Sequence, residues 1–525
     1  MQPFKQTNDA IAERARTHLE QVVRIDSSSD ETSDAIPSTP GQVELSEELE
    51  RFFTELGAEV ERDAYANMIA TLPARGASPD APPIALMIHL DTARGTHAID
   101  GLNLQPAWDG ARVPYPANPG LEVTTANYPA LERYLGHDVV YGPGDAPFGL
   151  DDKLGLTHMM TLAWLLATNP EVPHPRLLLI ARPDEEIGRS EALIGLAELL
   201  SERGVTMGYT LDGLDPLEIN IENFNAAQAA IRFPRRSEAP PAEGLEVRFE
   251  IKGVNTHGAT AKAEGHRPAT RLAAELLIEL EREGISDEVQ LTWFASDPER
   301  DCDAQLQAWV RDREALTDLE QALERVVGPH APRGASWSAP LERCVLRSKP
   351  REREVAAEEA LRFIYRFLNS EPGFTLAAED SEGYQGYSQP YRLVPDGDHL
   401  RLDVRLRDFA RDQLAERQEH VRAQVGDDLE VTITQQYENM GPRLADRPEL
   451  IQWPQEAAAA LGLTAPIQPI RGGTGVDPFL DKGVALANLG TGYFAPESEK
   501  EFTTLQTMAD HARWLGYLVQ RIANP

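Results

Sequence analysis

Apolar residues recur at helical spacing in DAIAERARTHLEQVVRI and VELSEELERFFTELG near the start of the chain, and the pattern then changes to the continuous apolar runs MIATLPA and PPIALMIHLD. The first pair predicts amphipathic helices and the second pair buried strands. The alternation continues with LGLTHMMTLAWLLA as helix, RLLLIARPDEE as strand, ALIGLAELLSERG as helix and MGYTLDG as strand. Repeated βαβ order predicts an α/β domain around a mostly parallel sheet.

After Gly213 the pattern becomes polar alternating strands such as AAIRF and LEVRFEIKG, separated by long helices and loops. Near Met440 the earlier style returns, with IQWPQEAAAALG as helix, APIQPI and VALANLG as short strands, and TLQTMADHARWLGYLVQRIA as a closing amphipathic helix. A second domain is therefore expected to be inserted into the first, dividing the chain into 1–215, 216–440 and 441–525. The inserted part holds a candidate internal repeat: AQLQAWVRDREALTDLEQALERVV (304–327) and LRLDVRLRDFARDQLAERQEHVRAQV (400–425) each read as a strand ending in Arg-Asp, then a charged helix.

A length of 525 residues fits two or more domains, and the apolar (41%) and charged (26%) fractions are those of an ordinary globular protein. The charge balance is not ordinary. Asp and Glu number 85 against 50 Lys plus Arg, for a formal net charge of -35, and only 7 of the 50 are Lys. So acidic a surface repels phosphates, which argues against nucleic acid and anionic membranes as partners. It is compatible with a high-salt cytoplasm, where self-repulsion is screened, although a GC-rich genome also favours Arg over Lys. The two cysteines, Cys302 and Cys344, exclude a disulfide framework and a Cys-based zinc site. The N-terminal MQPFKQTNDAIAERAR has no signal-peptide character and no run of 18 apolar residues occurs, so a cytoplasmic location is expected.

The chemistry sits at predicted strand ends, where open α/β sheets place their ligands. His89 and Asp91 end PPIALMIHLD, Asp151 and Asp152 lie in GPGDAPFGLDDKLG just before a helix, Asp184, Glu185 and Glu186 end RLLLIARPDEE, and Asp212 ends MGYTLDG. Taken singly each has a bland reading: HxD as a capping pair, DD as a helix N-cap, PDEE as a solvated turn. As an ordered set they bring several carboxylates and one imidazole to one sheet edge. Such groups repel one another unless cations lie among them, and divalent metal is the simplest choice.

These motifs, HLDT, GLDDKLG, RPDEEIG and TLDG, together with PSTPGQ, IENFNAA, HGATAK, SEGYQGY, RLRDF, IRGGT and EFTTL in that order, resemble those of the M20 zinc aminopeptidases, and within that family its tripeptide aminopeptidases. The resemblance covers nearly the whole chain apart from about 85 extra residues between 287 and 372. It implies a zinc-peptidase-like catalytic domain with an inserted α+β, ferredoxin-like lid, enlarged here, and a site for two divalent metal ions, zinc with manganese or cobalt as alternatives. His89 and Asp212 would hold one metal, Glu186 the other, and Asp151 would bridge both. Asp91 would orient His89, and Glu185 would be the general base. On an extended strand end adjacent side chains point apart, so Glu186 could bind metal while Glu185 reaches the attacking water.

On the substrate side, His257 resembles the lid histidine that stabilises the oxyanion, and Arg407 the arginine that clamps the peptide's C-terminal carboxylate; each also reads as an ordinary polar residue. Asn255, Lys262, Gly473 and Thr474 are further substrate-side candidates. The implied activity is removal of the N-terminal residue from short peptides, with dipeptidase, carboxypeptidase or deacylase activity as the alternative. Family members dimerise through the lid, whereas some larger members carry a doubled lid and act as monomers; the Arg-Asp repeat raises the second possibility.

Two departures stand out. The family's metal-binding His four residues before the Glu of EF is Glu497 here, and GGTDG appears as GGTGVD, with Asp477 displaced. Glu497 could ligate the second metal through oxygen, His511 or another residue could substitute, or the second site could be weakened, leaving a silent peptide- or metal-binding protein.

Overall fold

The run IALMIH forms strand Ile84–His89, flanked on both edges by strands, packed against helix Leu150–Thr168 and buried along its whole length. In the computed structural model, residues 1–213, 215–238, 244–253, 267–298, 300–338, 345–347, 353–370, 386–470 and 472–525 are described. They form two compact units, Met1–Asn223 with Asn439–Pro525, and Phe224–Glu438.

The first unit is built on a seven-stranded sheet in the order Glu59–Arg62, Met68–Leu72, Leu177–Arg182, Ile84–His89, Met207–Leu211, Ala485–Leu489, Ile219–Asn220. The sheet is mixed, which corrects the expectation of a mostly parallel one. Ile84–His89 pairs in parallel with Leu177–Arg182 and Met207–Leu211, and Ala485–Leu489 pairs in parallel with Met207–Leu211, but the outer pairings are antiparallel. The reason at one edge is the short connection 63–67, too short for a crossover, in which Asp63 Oδ1 accepts the N–H groups of Tyr65 and Asn67. Helices Asn8–Val22, Leu150–Thr168 and Leu505–Ala523 pack on one another. Leu150–Thr168 is apolar on nearly every side and correspondingly buried from Leu150 to Leu166. The parallel strands end at one edge of the sheet, and every residue of the expected metal site lies on the segments leaving these strands or on the loops beside them.

The two larger sheets of the second unit are antiparallel and built on one plan. One module runs strand Asn225–Pro234, helix Val355–Leu368, strands Tyr387–Asp396 and His399–Asp408, helix Arg411–Val425 and strand Glu430–Tyr437. Between its first strand and first helix lies the other: strand Gly244–Lys252, helix Ala269–Arg282, strands Val289–Ser296 and Ala304–Val310, helix Arg313–Val327, and a last strand split into Ser336–Ser338 and Val345–Arg347. Both are β-α-β-β-α-β, with the strands ordered second, third, first, fourth. Apolar residues of both modules, among them Ile231, Leu272, Leu306, Leu361 and Leu402, share one core. The Arg-Asp repeat falls at the same place in each, the turn from third strand to second helix. There the aspartate accepts backbone N–H groups: Asp312 from Glu314 and Ala315, and Asp408 from Ala410.

Packing between the strands that carry His89 and Asp212 is close enough to be tested. A Cβ on Gly208 would lie 2.2 Å from the carbonyl oxygen of Ala85, its partner on the neighbouring strand. Gly208→Ala is predicted to lower stability by about 1–3 kcal/mol, read as a lower urea midpoint; an unchanged midpoint would contradict this packing.

Candidate metal centre

His89 closes strand Ile84–His89 with its ring buried. Nδ1 lies 2.9 Å from the carbonyl oxygen of Asp91, which can only accept, so in the neutral ring Nδ1 carries the proton and Nε2 keeps the lone pair. Nε2 faces Asp151 Oδ1 at 3.0 Å and Asp212 Oδ2 at 4.0 Å. Asp151 stands in the first turn of Leu150–Thr168 with non-helical φ/ψ of -86° and 107°, and Tyr493 donates from its hydroxyl to Asp151 Oδ2 at 2.8 Å.

Glu186 and Glu497 also lie close to Asp151. One donor atom each from His89, Asp151 and Asp212 forms a group within 4.8 Å, and so does one each from Asp151, Glu186 and Glu497. Asp151 is common to both groups. His511 is in neither: it stacks on His158 with ring centroids 3.9 Å apart, and burial holds both imidazoles neutral.

The segment carrying Glu185 and Glu186 is not the extended strand end expected. The strand stops at Arg182, Asp184 takes φ +53°, and a tight turn follows. Two sets of contacts impose it. Asp91 accepts the backbone N–H of Glu185 on Oδ1 at 2.8 Å and that of Glu186 on Oδ2 at 3.0 Å. Its carboxylate thus holds the turn, while its carbonyl orients His89. Fully buried Asp184 accepts from Ser38 N–H at 2.9 Å, from the Ser38 hydroxyl and from Gln42 Nε2 at 2.7 Å, and its own N–H donates to Gln42 Oε1 at 3.0 Å. The PSTPGQ motif is therefore what grips the acidic turn.

Buried Glu501 ties the remaining pieces. Its Oε2 accepts the N–H groups of Phe148, Gly149 and Leu150 at 3.0, 3.0 and 3.4 Å, and its Oε1 accepts that of Glu497 at 2.9 Å. One carboxylate thus fixes both the approach to Asp151 and the backbone of Glu497.

The electrostatics call for cations. Burial, and then the charges of Asp151 and Glu497, push the Glu186 carboxyl well above the ordinary carboxylate range, and burial with the Asp151 charge does the same to Asp212. Burial would drive the His89 imidazole down, but hydrogen bonds to Asp151 and Asp91 hold it well above its usual value. Glu186 Oε1 is buried without a hydrogen-bond partner. An orphaned carboxylate oxygen amid like charges is what a divalent ion would satisfy, and a set of oxygen donors with one imidazole suits zinc, manganese or cobalt.

Of the substrate-side candidates, Gly473 and Thr474 lie in the first unit outside both donor groups, and the Thr474 carbonyl accepts from Arg182. Arg407 lies on strand His399–Asp408 of the second unit, donates to the carbonyls of Ala227 and Leu406, and stands over the Tyr437 ring. Asn255, His257 and Lys262 lie outside the described residues. Sequence reasoning assigned no role to Tyr493, Glu501, Arg182, Ser38 or Gln42; the motifs PSTPGQ and EF, quoted for the resemblance, were the available signals for three of them.

No family model matches the chain. Among curated proteins, peptidase T of Bacillus mycoides (strain KBAB4) is 26% identical over 499 residues, 93% of each chain. Peptidase T of Bacillus cereus (strain ATCC 10987 / NRS 248) is 34% identical over 258 residues, 48% of this chain and 56% of that one. Among solved structures, the aminoacylhistidine dipeptidase from Vibrio alginolyticus superposes with a TM-score of 0.52 at 14% identity over 96% of both chains, a likeness of fold alone. The resemblance to the M20 metallopeptidases drawn from the motifs therefore holds along most of the chain. Both curated relatives given above are proteins named peptidase T.

With two donor groups sharing Asp151, calorimetric titration of the metal-free protein with zinc is predicted to give two equivalents, and Glu497→Ala one. Two tight equivalents in the variant would remove Glu497 from the ligand set.

Proposed function

We propose that the chain is a metal-dependent aminopeptidase that releases the N-terminal residue of short peptides, tripeptides above all, by attack of an activated water. The observation that carries this reading is the pair of donor groups sharing Asp151, with Glu185 on the turn beside Glu186. His89, Asp151 and Asp212 would hold one divalent ion and Asp151, Glu186 and Glu497 the other; zinc fits the donors, as do manganese and cobalt. When bound, two such ions polarise the scissile carbonyl and bring the pKa of a water towards neutrality.

The chain's own residues supply the rest. Glu185 takes the proton of the attacking water and returns it to the leaving amine, a task for a carboxylate within hydrogen-bond reach. Asp91 keeps His89 in the tautomer that presents Nε2, and it fixes where Glu185 starts through the backbone N–H. Roles for His257 at the oxyanion and Arg407 at the peptide's C-terminal carboxylate, with Asn255, Lys262, Gly473 and Thr474 as further substrate contacts, rest on the family resemblance.

The second unit is read as the lid. Its two like-ordered modules support a doubled lid and a monomer, and sedimentation giving an obligate dimer would count against that. The reading also makes this a cytoplasmic enzyme; among the described residues no helix is long and apolar enough to cross a membrane.

The test is hydrolysis of Ala-Ala-Ala against dipeptides and N-acyl amino acids, by wild type and Glu185→Gln. Wild type is predicted to favour the tripeptide and to lose activity on chelation. The variant should bind both zinc equivalents yet lose about two to four orders of magnitude in kcat. Normal turnover by Glu185→Gln would remove the base assignment, and preference for N-acyl substrates would replace aminopeptidase with deacylase.

A further inference from the structure

Arg182 ends strand Leu177–Arg182, and only 3% of its surface is exposed. Burying a guanidinium costs several kcal/mol unless the charge is paired, so its surroundings matter. Nη2 donates to the Thr474 carbonyl at 2.8 Å and stands 3.5 Å from Glu185 Oε1, while Nε has no hydrogen-bond partner. The backbone is fixed too, since the Arg182 carbonyl accepts the N–H of Leu90 at 2.7 Å, between His89 and Asp91.

The space for this side chain comes from Gly475. At φ +58°, a Cβ on that residue would lie 2.8 Å from Nη2 and 3.0 Å from Nη1 of Arg182. A side chain at 475 and the guanidinium in its present position therefore exclude each other. The departure GGTGVD puts a glycine at this point, and the displaced Asp477 pairs instead with Arg443 at 3.2 Å.

Charge counting gives the arrangement a purpose. The two donor groups hold four carboxylates, Asp151, Glu186, Asp212 and Glu497, whose charge two dications neutralise. Glu185 is a further carboxylate beside them, and Arg182, from within the fold, places a positive charge 3.5 Å from its Oε1. We propose that Arg182 is the positioning residue of Glu185: its guanidinium, braced by the Thr474 carbonyl and seated in the gap at Gly475, holds the Glu185 carboxylate in one orientation towards the attacking water. This rests on the reading of Glu185 as the base.

The test uses zinc-loaded full-length protein and four variants, Arg182→Gln, Arg182→Lys, Gly475→Ala and the double variant Arg182→Gln/Gly475→Ala, beside Glu185→Gln. Arg182→Gln should keep both zinc equivalents and lose about 10- to 100-fold in kcat with KM little changed, the scale expected for a misplaced catalytic group. Arg182→Lys should recover part of the loss. Gly475→Ala should fall in the same direction, and the double variant should be no slower than Arg182→Gln, because both substitutions remove one interaction. The proposal is overturned if Glu185→Gln is inactive while Arg182→Gln turns over normally, or if the two single losses multiply. Should Arg182→Gln not fold, Arg182→Lys and Gly475→Ala decide it: normal kcat in both overturns it. If instead Glu185→Gln itself is as active as wild type, the base assignment has failed, an outcome separate from these.

Discussion

Five side chains, four of them carboxylates and Asp151 common to both groups, converge within a few ångströms, and their mutual repulsion is the constraint on which the rest of this structure depends. Carboxylates so placed either take up protons or hold cations; without an ion, burial and crowding drive Glu186 and Asp212 towards the proton. A fold that assembles such a group bears a cost that divalent metal removes. Glu497 fits this logic. It gives a fourth carboxylate to the two donor groups, an oxygen donor of the kind divalent ions accept.

The fold meets the constraint with rigid parts. His89 and Asp212 leave neighbouring parallel strands of a sheet buried on its central strands, and Asp151 is fixed by the helix whose first turn it occupies. The loops are held by carboxylates used as backbone acceptors: Asp91 for the Glu185–Glu186 turn, Glu501 for the segments leading to Asp151 and Glu497. Asp184, gripped by Ser38 and Gln42, completes the set. Acidic residues thus appear in two employments, facing the metal positions or facing backbone N–H groups. In ARPDEEIG, Asp184 anchors the turn and Glu186 belongs to a candidate donor group.

Much of this was legible in the sequence, since strand-end motifs such as IALMIHLD and MGYTLDG announce themselves by an apolar run stopping at an acid or histidine. The helix containing LGLTHMMTLAWLLA was legible from its long apolar run. The turn at Glu185 was not, because nothing local in RPDEE reveals that Asp91, more than ninety positions earlier, captures its two N–H groups. Tyr493 and Arg182 were hidden for the same reason: one meets Asp151 across 342 positions, the other meets Thr474 across 292. The mixed character of the sheet was missed because apolar runs disclose burial and not strand direction.

The most direct measurement is a crystal structure of the zinc-loaded protein with anomalous data collected on both sides of the zinc edge. The account predicts two anomalous peaks, one among His89, Asp151 and Asp212 and one among Asp151, Glu186 and Glu497, with Asp151 contributing to both. A single peak with Glu497 turned away, or none, would contradict it.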